Sequence, residues 1–304
     1  MTPSQIEQQL QAFPTDAAAI LLSLVQQKGR LDTEQITQLL SCLDLPFDQL
    51  LIQLLPVARA LSLNPVSHFA VGALVEGYRE NGIGPVYMGA NMEQTKQPLK
   101  VSVHAEQSAV SNAWHQGETR LRRLVVNEAP CGHCRQFLNE LNGINTLQIT
   151  ISKIGSHCVQ HYSMQELLPA SFGPADLKQN ACLLSIPEKT TLQSDSKDEL
   201  IQQAIKAARH AYAPYSDCCS AVAVRLSSGQ IITGRYAENA AFNPSLTAAE
   251  AALNNWRLVQ LAGNPKDQCI EDAVLVEEDG IISHRAISCD IFQQYGCRLR
   301  CFTL

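Results

Sequence analysis

Apolar residues recur at helical spacing from residue 1 to about residue 62. "TDAAAILLSLVQQKG" predicts a helix that stops near Gly29. "DTEQITQLLSCL" opens on Asp32 with Gln35 three places later, the spacing of a capping box at a helix start. "DQLLIQLLPVARALSL" predicts a third helix that Pro56 ends or kinks. From residue 63 the texture changes to short β-type runs. "HFAVGALVEG" and "VYMGANME" flank the turn-rich "YRENGIG". "HAEQSAVSNAWHQG" is helical again, with Ala105, Ala109, Val110, Ala113 and Trp114 on one face. "RLVVNEAP" predicts a strand running into a loop, "CRQFLNELNG" a short helix, "TLQITIS" a strand, and "MQELLPASFGPADL" a short helix with a loop. Residues 186–199, "IPEKTTLQSDSKDE", are polar and aliphatic-poor and read as a linker.

Beyond the linker the order repeats. A helix ("LIQQAIKAARHAYAPYS"), two strands around a Ser-Gly turn ("CSAVAVRLSSGQIITGRYAENAAF"), a helix ("TAAEAALNNWRLV") and a strand with a turn ("DAVLVEEDGIIS") follow. Aligning the halves by eye sets Glu93 against Glu238, Glu106 against Glu250 and Ala248 against His104. This predicts two related α/β domains behind a helical segment that carries no chemistry of its own. The boundaries are 1–48 for the helical segment, 49–185 for the first domain and 186–304 for the second.

Bulk composition narrows the class. The chain has 304 residues, 45% hydrophobic and 17% charged, as in a globular protein. No run of about 18 uncharged apolar residues is present, so no membrane span is expected. "MTPSQIEQQLQAFPTD" lacks the basic and apolar regions of a secretion signal. A net charge of −6 and 6% aromatics argue against a nucleic-acid partner. Eleven cysteines, an odd number, without a secretion signal favour reduced thiols and a cytoplasmic location.

Two of these cysteines form a pattern with mechanical meaning: Cys131 and Cys134 in "PCGHC". A redox dithiol after a strand is one explanation. A structural zinc site with His157 and His161 is another, although the 22 residues between Cys134 and His157 exceed the roughly 12–15 of a finger. A catalytic zinc site is the third. It needs three ligands and an open position, and "HAE" upstream supplies His104 with Glu106 two places on. H-x-E followed by P-C-x-x-C is the signature of zinc-dependent nucleobase deaminases. Residues i and i+3 share a helical face, so both sulfurs can reach one metal. Hydrolytic deamination requires that water lose a proton and that the ring nitrogen and the leaving amine each gain one. Zinc lowers the pKa of bound water from about 15.7 toward roughly 7, and one neighbouring carboxylate can carry protons between the sites. Arg135 can offset thiolate charge, whereas His133 is expected to point elsewhere.

"VHAEQSAVSNAW" and "PCGHCRQFLNELN", with "GANME" and "ASFGPADL", resemble the homodimeric cytidine deaminases of enterobacterial type, over nearly the whole chain. The resemblance implies two tandem three-layer α/β/α domains with mixed sheets. It implies one Zn2+ per chain on His104, Cys131 and Cys134, Glu106 as the catalytic proton shuttle, and a nucleoside substrate. Asn91 and Glu93 would bind the ribose hydroxyls, Phe69 would pack on the pyrimidine, and the Ala105 N–H and Ala129 carbonyl would meet the base edge. Many relatives carry Thr at the position of Ala129. Phe172, with Phe242 of "ENAAFNP", would lie at the active sites of a homodimer. The second domain lacks both the histidine and the thiol pair and is expected to bind no zinc.

Overall fold

The structure is a computed structural model that describes residues 3–156, 158–260 and 268–304. His157, considered above as a zinc ligand, lies outside the described residues. The chain forms two compact units, Met1–Thr95 with Leu99–Ser171, and Phe172–Leu304 with Lys96–Pro98.

The first unit begins with helices α1 (Pro3–Leu10) and α2 (Thr15–Gln26), strand β1 (Arg30–Leu31), and helices α3 (Thr33–Leu43) and α4 (Phe47–Arg59). Gly29 lies just past α2, its N–H returning to the Leu24 carbonyl at 2.8 Å. The expected capping box starts α3. Asp32 accepts from the Gln35 N–H and the Gln35 side chain accepts from the Asp32 N–H, each at 2.9 Å. Pro56 does not end α4. It sits in the last turn, and the helix continues to Arg59 because its ring forfeits a single backbone bond there. The N-terminal segment is not purely helical, since β1 pairs with a strand of the sheet, Arg30 opposite Tyr87.

The remaining elements are β2 (Gly72–Gly77), β3 (Val86–Ala90), β4 (Met92–Glu93), β5 (Ser102–Val103), α5 (Ala105–His115), β6 (Leu121–Val126), α6 (Gly132–Leu138), β7 (Gln148–Ser152), β8 (Val159–Tyr162) and α7 (Met164–Leu167). The sheet runs β1-β3-β2-β6-β7-β8. It is mixed: β2 is antiparallel to β3 and β6, whereas β6 and β7 are parallel. Two glycines set how it is covered. A Cβ on Gly72 would collide with the backbone of Ala58 and Arg59 in α4, and one on Gly89 with the backbone of Ala109 in α5. Gly72 pairs with Ala90, the neighbour of Gly89, so the two glycines face opposite sides. The helices α4 and α5 therefore lie on opposite faces, which gives three layers. Every residue of α5 from Ala105 to Trp114 is buried, not one face as the pattern predicts, because this helix is the centre of its layer. Replacing Gly89 by Ala is expected to lift α5 from the sheet and to destabilise the protein by about 1–3 kcal/mol. Denaturant unfolding checks this, and zinc content should fall with it because α5 carries His104 and Glu106.

The second unit contains α8 (Glu199–Ala208), β9 (Ser220–Leu226), β10 (Ile231–Arg235), α9 (Ala248–Val259), β11 (Ile270–Glu277), α10 (Arg285–Gln293) and β12 (Arg300–Thr303). Its sheet, β10-β9-β11-β12, repeats β3-β2-β6-β7 in order and direction. The hydrophobic pattern predicts neither α10 nor β12. Residues 172–185 pack with this unit rather than the first. Gln179 Nε2 bonds the Pro214 carbonyl at 2.9 Å, the Tyr212 hydroxyl bonds the Ala181 carbonyl at 3.1 Å, and Leu183 and Leu184 are buried. Nor is the polar stretch from 186 a free tether. Lys189 N–H donates to the Arg209 carbonyl at 2.8 Å, and Leu192 is buried.

The repeat is real, but its register differs by one residue from the alignment by eye. Gly234 meets the Ala252 backbone as Gly89 meets that of Ala109. Asn255 Nδ2 bonds the Thr233 carbonyl at 2.7 Å as Asn112 Nδ2 bonds that of Met88 at 2.9 Å. Thr247, not Ala248, therefore occupies the place of His104, and Ala249, not Glu250, that of Glu106. Glu250 stands where Gln107 stands. Its carboxylate accepts from the Thr247 N–H at 2.9 Å and from the Thr247 hydroxyl at 2.6 Å, as the capping partner of its own helix. The pairing of Glu93 with Glu238 holds: each accepts hydrogen bonds from two consecutive backbone N–H groups and a serine hydroxyl.

Candidate active site

Two helix N-termini meet in the first unit. His104 is the N-cap of α5 and Cys131 the N-cap of α6, both in extended backbone conformation. An N-cap side chain is free to turn away from its own helix, which is how His104 and Glu106 reach one place although residues i and i+2 diverge within a helix. Gln107 fixes the entry to α5 by accepting from the His104 N–H at 3.2 Å. Cys134, in the first turn of α6, is fully buried. Arg135 ties down the loop before α6, Nε to the Pro130 carbonyl at 2.8 Å and Nη1 to the Leu167 carbonyl at 3.0 Å. These contacts put its guanidinium on backbone carbonyls rather than on a thiol.

His104 Nδ1 is 3.4 Å from Cys131 Sγ, and Cys131 Sγ is 3.7 Å from Cys134 Sγ. Among the described residues these three form the one group of His, Cys, Asp or Glu side chains placed to hold a metal ion. The spacing fits zinc. Tetrahedral Zn–S bonds of about 2.3 Å and Zn–N bonds of about 2.0 Å separate two sulfurs by about 3.8 Å and a sulfur from a nitrogen by about 3.5 Å. Two thiolates and an imidazole are also the ligand chemistry that zinc favours. Hydrogen bonding from Cys134 and His104 holds Cys131 down to about 3, so this sulfur is readily a thiolate. The contact with Cys131, followed by burial, pushes Cys134 well up. His133 stacks on the His104 ring, centroids 4.8 Å apart, and steadies it without joining the ligand group. His161 lies on β8, beside the Thr150 hydroxyl at 3.1 Å, away from these ligands.

Glu106 is buried, with Oε2 3.2 Å from Cys134 Sγ. Burial pushes its carboxyl above the usual range, as suits a group that takes up and releases a proton. His104, Ala105, Glu106, Ala129 and Cys131 form one end of a cavity of about 430 Å³; Phe69, Asn91 and Glu93 line the rest together with Val66, Ser67 and Leu99. That volume falls within the ~300–1,000 Å³ usual for small-molecule sites. Phe69 is 54% exposed at the cavity. Asn91 holds the loop beneath it, Oδ1 accepting from the Val71 N–H at 2.8 Å and Nδ2 donating to the Phe69 carbonyl at 2.9 Å. Glu93 accepts from the N–H groups of Val66 at 2.9 Å and Ser67 at 3.0 Å and from the Ser67 hydroxyl. Burial acts to raise its pKa, but these hydrogen bonds outweigh burial and hold the carboxylate below its usual range.

The family model for the cytidine and deoxycytidylate deaminase zinc-binding region matches residues 47–151 and, separately, 164–288. A cytidine deaminase of Vibrio cholerae serotype O1 is 43% identical over 287 residues, 93% of this chain and 92% of that protein. The chain belongs to the cytidine and deoxycytidylate deaminase family. A cytidine deaminase of Pectobacterium atrosepticum is 41% identical over 291 residues, 95% of this chain and 94% of that protein. The solved cytidine deaminase of Burkholderia pseudomallei aligns over 41% of this chain and 98% of its own, at 30% identity and a TM-score of 0.37. The family's zinc region thus matches both units, although the second has Thr247 where the first has His104.

The structure brings eight of the expected residues in the first unit to one cavity, Phe69, Asn91, Glu93, His104, Ala105, Glu106, Ala129 and Cys131, with Cys134 in contact with Cys131. Phe172 belongs to the second unit and is 47% exposed. Sequence reasoning missed Glu128, Leu99 and the Val66–Ser67 pair, which also line the cavity. Glu128 immediately precedes the expected Ala129, so proximity to the motif was the available signal. Leu99 carried none, because a lone leucine in a polar loop has no pattern.

Proposed function

We propose that the chain catalyses zinc-dependent hydrolytic deamination of cytidine and 2′-deoxycytidine to the corresponding uridines and ammonia, as a homodimer in cytoplasmic pyrimidine salvage. The observation that carries this reading is a histidine and two cysteines at metal-ligand spacing, with a buried carboxylate 3.2 Å from the nearer thiol, at the end of a nucleoside-sized cavity. His104, Cys131 and Cys134 hold one ion per chain. Bound there, zinc acts as a Lewis acid and makes water acidic enough to deprotonate near neutral pH. Glu106 takes that proton and delivers it to the ring nitrogen N3; it then takes a second proton from the hydroxyl added at C4 and delivers it to the leaving amine. The Ala105 N–H, unpaired within its helix because it lies in the first turn, and the Ala129 carbonyl orient the base edge. Phe69 covers the pyrimidine face.

Glu93 and Asn91 receive the ribose. Held ionised by its backbone donors, Glu93 keeps about one of its four lone-pair sites for a sugar hydroxyl. Replacing Glu93 by Gln is expected to raise KM for cytidine by about 10- to 100-fold with a smaller change in kcat, since a hydrogen bond to a charged group contributes about 1.5–3 kcal/mol. Steady-state kinetics separates the two. The second domain serves packing and completes the partner's site. Phe172 and Phe242, exposed at 47% and 69%, are the side chains a second copy would cover. Among the described residues, no single helix is long and apolar enough to cross a membrane.

The test is direct. Elemental analysis is expected to find one zinc per chain, and the ultraviolet loss of cytidine is expected to stop when a phenanthroline removes the metal. Two zincs per chain would overturn the assignment of a silent second domain, and zinc without nucleoside turnover would overturn the activity.

A further inference from the structure

A second pair of thiols is in contact, far from the chemistry in sequence. Cys289 on α10 and Cys301 on β12 have their sulfurs 3.6 Å apart, and both side chains are partly exposed. The spacing "CRLRC" suggests Cys297 as the partner of Cys301, but Cys297 is buried and the strand turns Cys301 toward α10 instead.

Packing builds this contact. Arg285 Nη2 lies 3.3 Å from Thr303 Oγ1, and the Cys289–Cys301 contact repeats it one helical turn on and two strand residues back. Four helical residues rise about 6 Å and two strand residues about 6.6 Å, so the antiparallel helix and strand keep step over both contacts. From 3.6 Å the sulfurs have to close to the roughly 2.0 Å of a disulfide.

The place of β12 gives the contact a consequence. Among the described residues it ends its sheet, paired with β11 from Val274–Arg300 to Glu277–Thr303. Its counterpart β7 is covered by β8. An edge strand carries a row of backbone N–H and C=O groups that no neighbouring strand covers.

We propose that Cys289 and Cys301 are a site of reversible oxidation, a dithiol that a peroxide converts to a disulfide and that thereby clamps β12 to α10. One sulfur attacks the peroxide O–O bond, becomes a sulfenic acid, and water leaves. The other sulfur attacks the sulfenic sulfur, the S–S bond forms, the S–O bond breaks, and a second water leaves with the remaining thiol proton. Two thiols are oxidised and one peroxide is reduced to two waters. A thiol reductant reverses the bond.

The zinc-loaded protein is treated with hydrogen peroxide, alkylated and digested with trypsin. Cleavage after Arg285, Arg298 and Arg300 separates Cys289 on peptide 286–298 from Cys301 on peptide 301–304. The expected product is these two peptides joined, two hydrogens lighter than their sum, and released by dithiothreitol. Fragmentation should place the bond on Cys289. The bond should persist in Cys297→Ser and vanish in Cys289→Ser. Amide hydrogen exchange at residues 300–304 should slow in the oxidised protein. Absence of the joined peptide in the folded protein, a bond on Cys297, or unchanged exchange at 300–304 would each overturn the proposal. Unchanged zinc content and cytidine turnover in the variants verify that they fold.

Discussion

Replacing Glu106 by Gln is expected to leave zinc bound and to lower kcat for cytidine by about 10²–10⁴-fold, the range contributed by a positioned proton-transfer group. At about 1.36 kcal/mol per factor of ten, this is roughly 3–5 kcal/mol of transition-state stabilisation. Gln matches the shape of the buried side chain, so the packing at the start of α5 should survive. It cannot carry a proton at neutral pH. Glu106 is not one of the three expected ligands, although its carboxylate lies 3.2 Å from Cys134 Sγ. Metal content and turnover should therefore separate: elemental analysis near one zinc per chain beside a nearly inactive enzyme. A variant with full zinc and unchanged kcat would remove Glu106 from the chemistry. A variant that had lost zinc would make it a contributor to the metal site instead.

Replacing Cys134 by Ser is expected to remove zinc and with it all measurable deamination. This sulfur is fully buried in the first turn of α6, 3.7 Å from Cys131 Sγ, so nothing from solvent can take its place in the same geometry. The same variant should lose the stabilisation that metal gives the native state. A ligand at about a thousand times its Kd stabilises a protein by about 4 kcal/mol. Thermal unfolding of the natural protein should therefore shift upward when zinc is restored after chelation, whereas Cys134→Ser should not respond. Cys158→Ser, an exposed thiol outside the ligand group, should behave like the natural protein. A Cys134→Ser variant with normal zinc and a zinc-sensitive transition would show that the ion sits elsewhere.

Local chemistry was legible in the sequence where the ligands lie close along the chain. "HAE" and "PCGHC" each begin a helix, and the three-residue step between the cysteines keeps them in one turn, so spacing admitted a metal site among other readings, and the family resemblance singled out His104, Cys131 and Cys134. The Asp32 capping box was readable for the same reason, since both partners lie within one turn. The register of the second copy was not. Matching Glu250 to Glu106 by residue type slipped the helix by one position. The correct register is set by close approaches of Gly89 to α5 and Gly234 to α9, which are contacts between elements distant in sequence. Glu250 then turns out to cap its own helix, and Ala249 stands in the second unit where Glu106 stands in the first.

By itself, the sequence determined the helix and strand types over most of the chain and the duplication, and it pointed to His104, Cys131 and Cys134 with Glu106 beside them, because each rests on periodicity or on residues at a helix start. Tertiary structure alone decided that β1 joins the catalytic sheet, that residues 172–185 pack with the second unit, that Leu99, Glu128, Val66 and Ser67 line the cavity, and that Cys301 meets Cys289 rather than Cys297. Each of these depends on how sheets and helices stack, and a linear pattern of apolar and polar positions records which face of an element is buried but not which neighbour buries it.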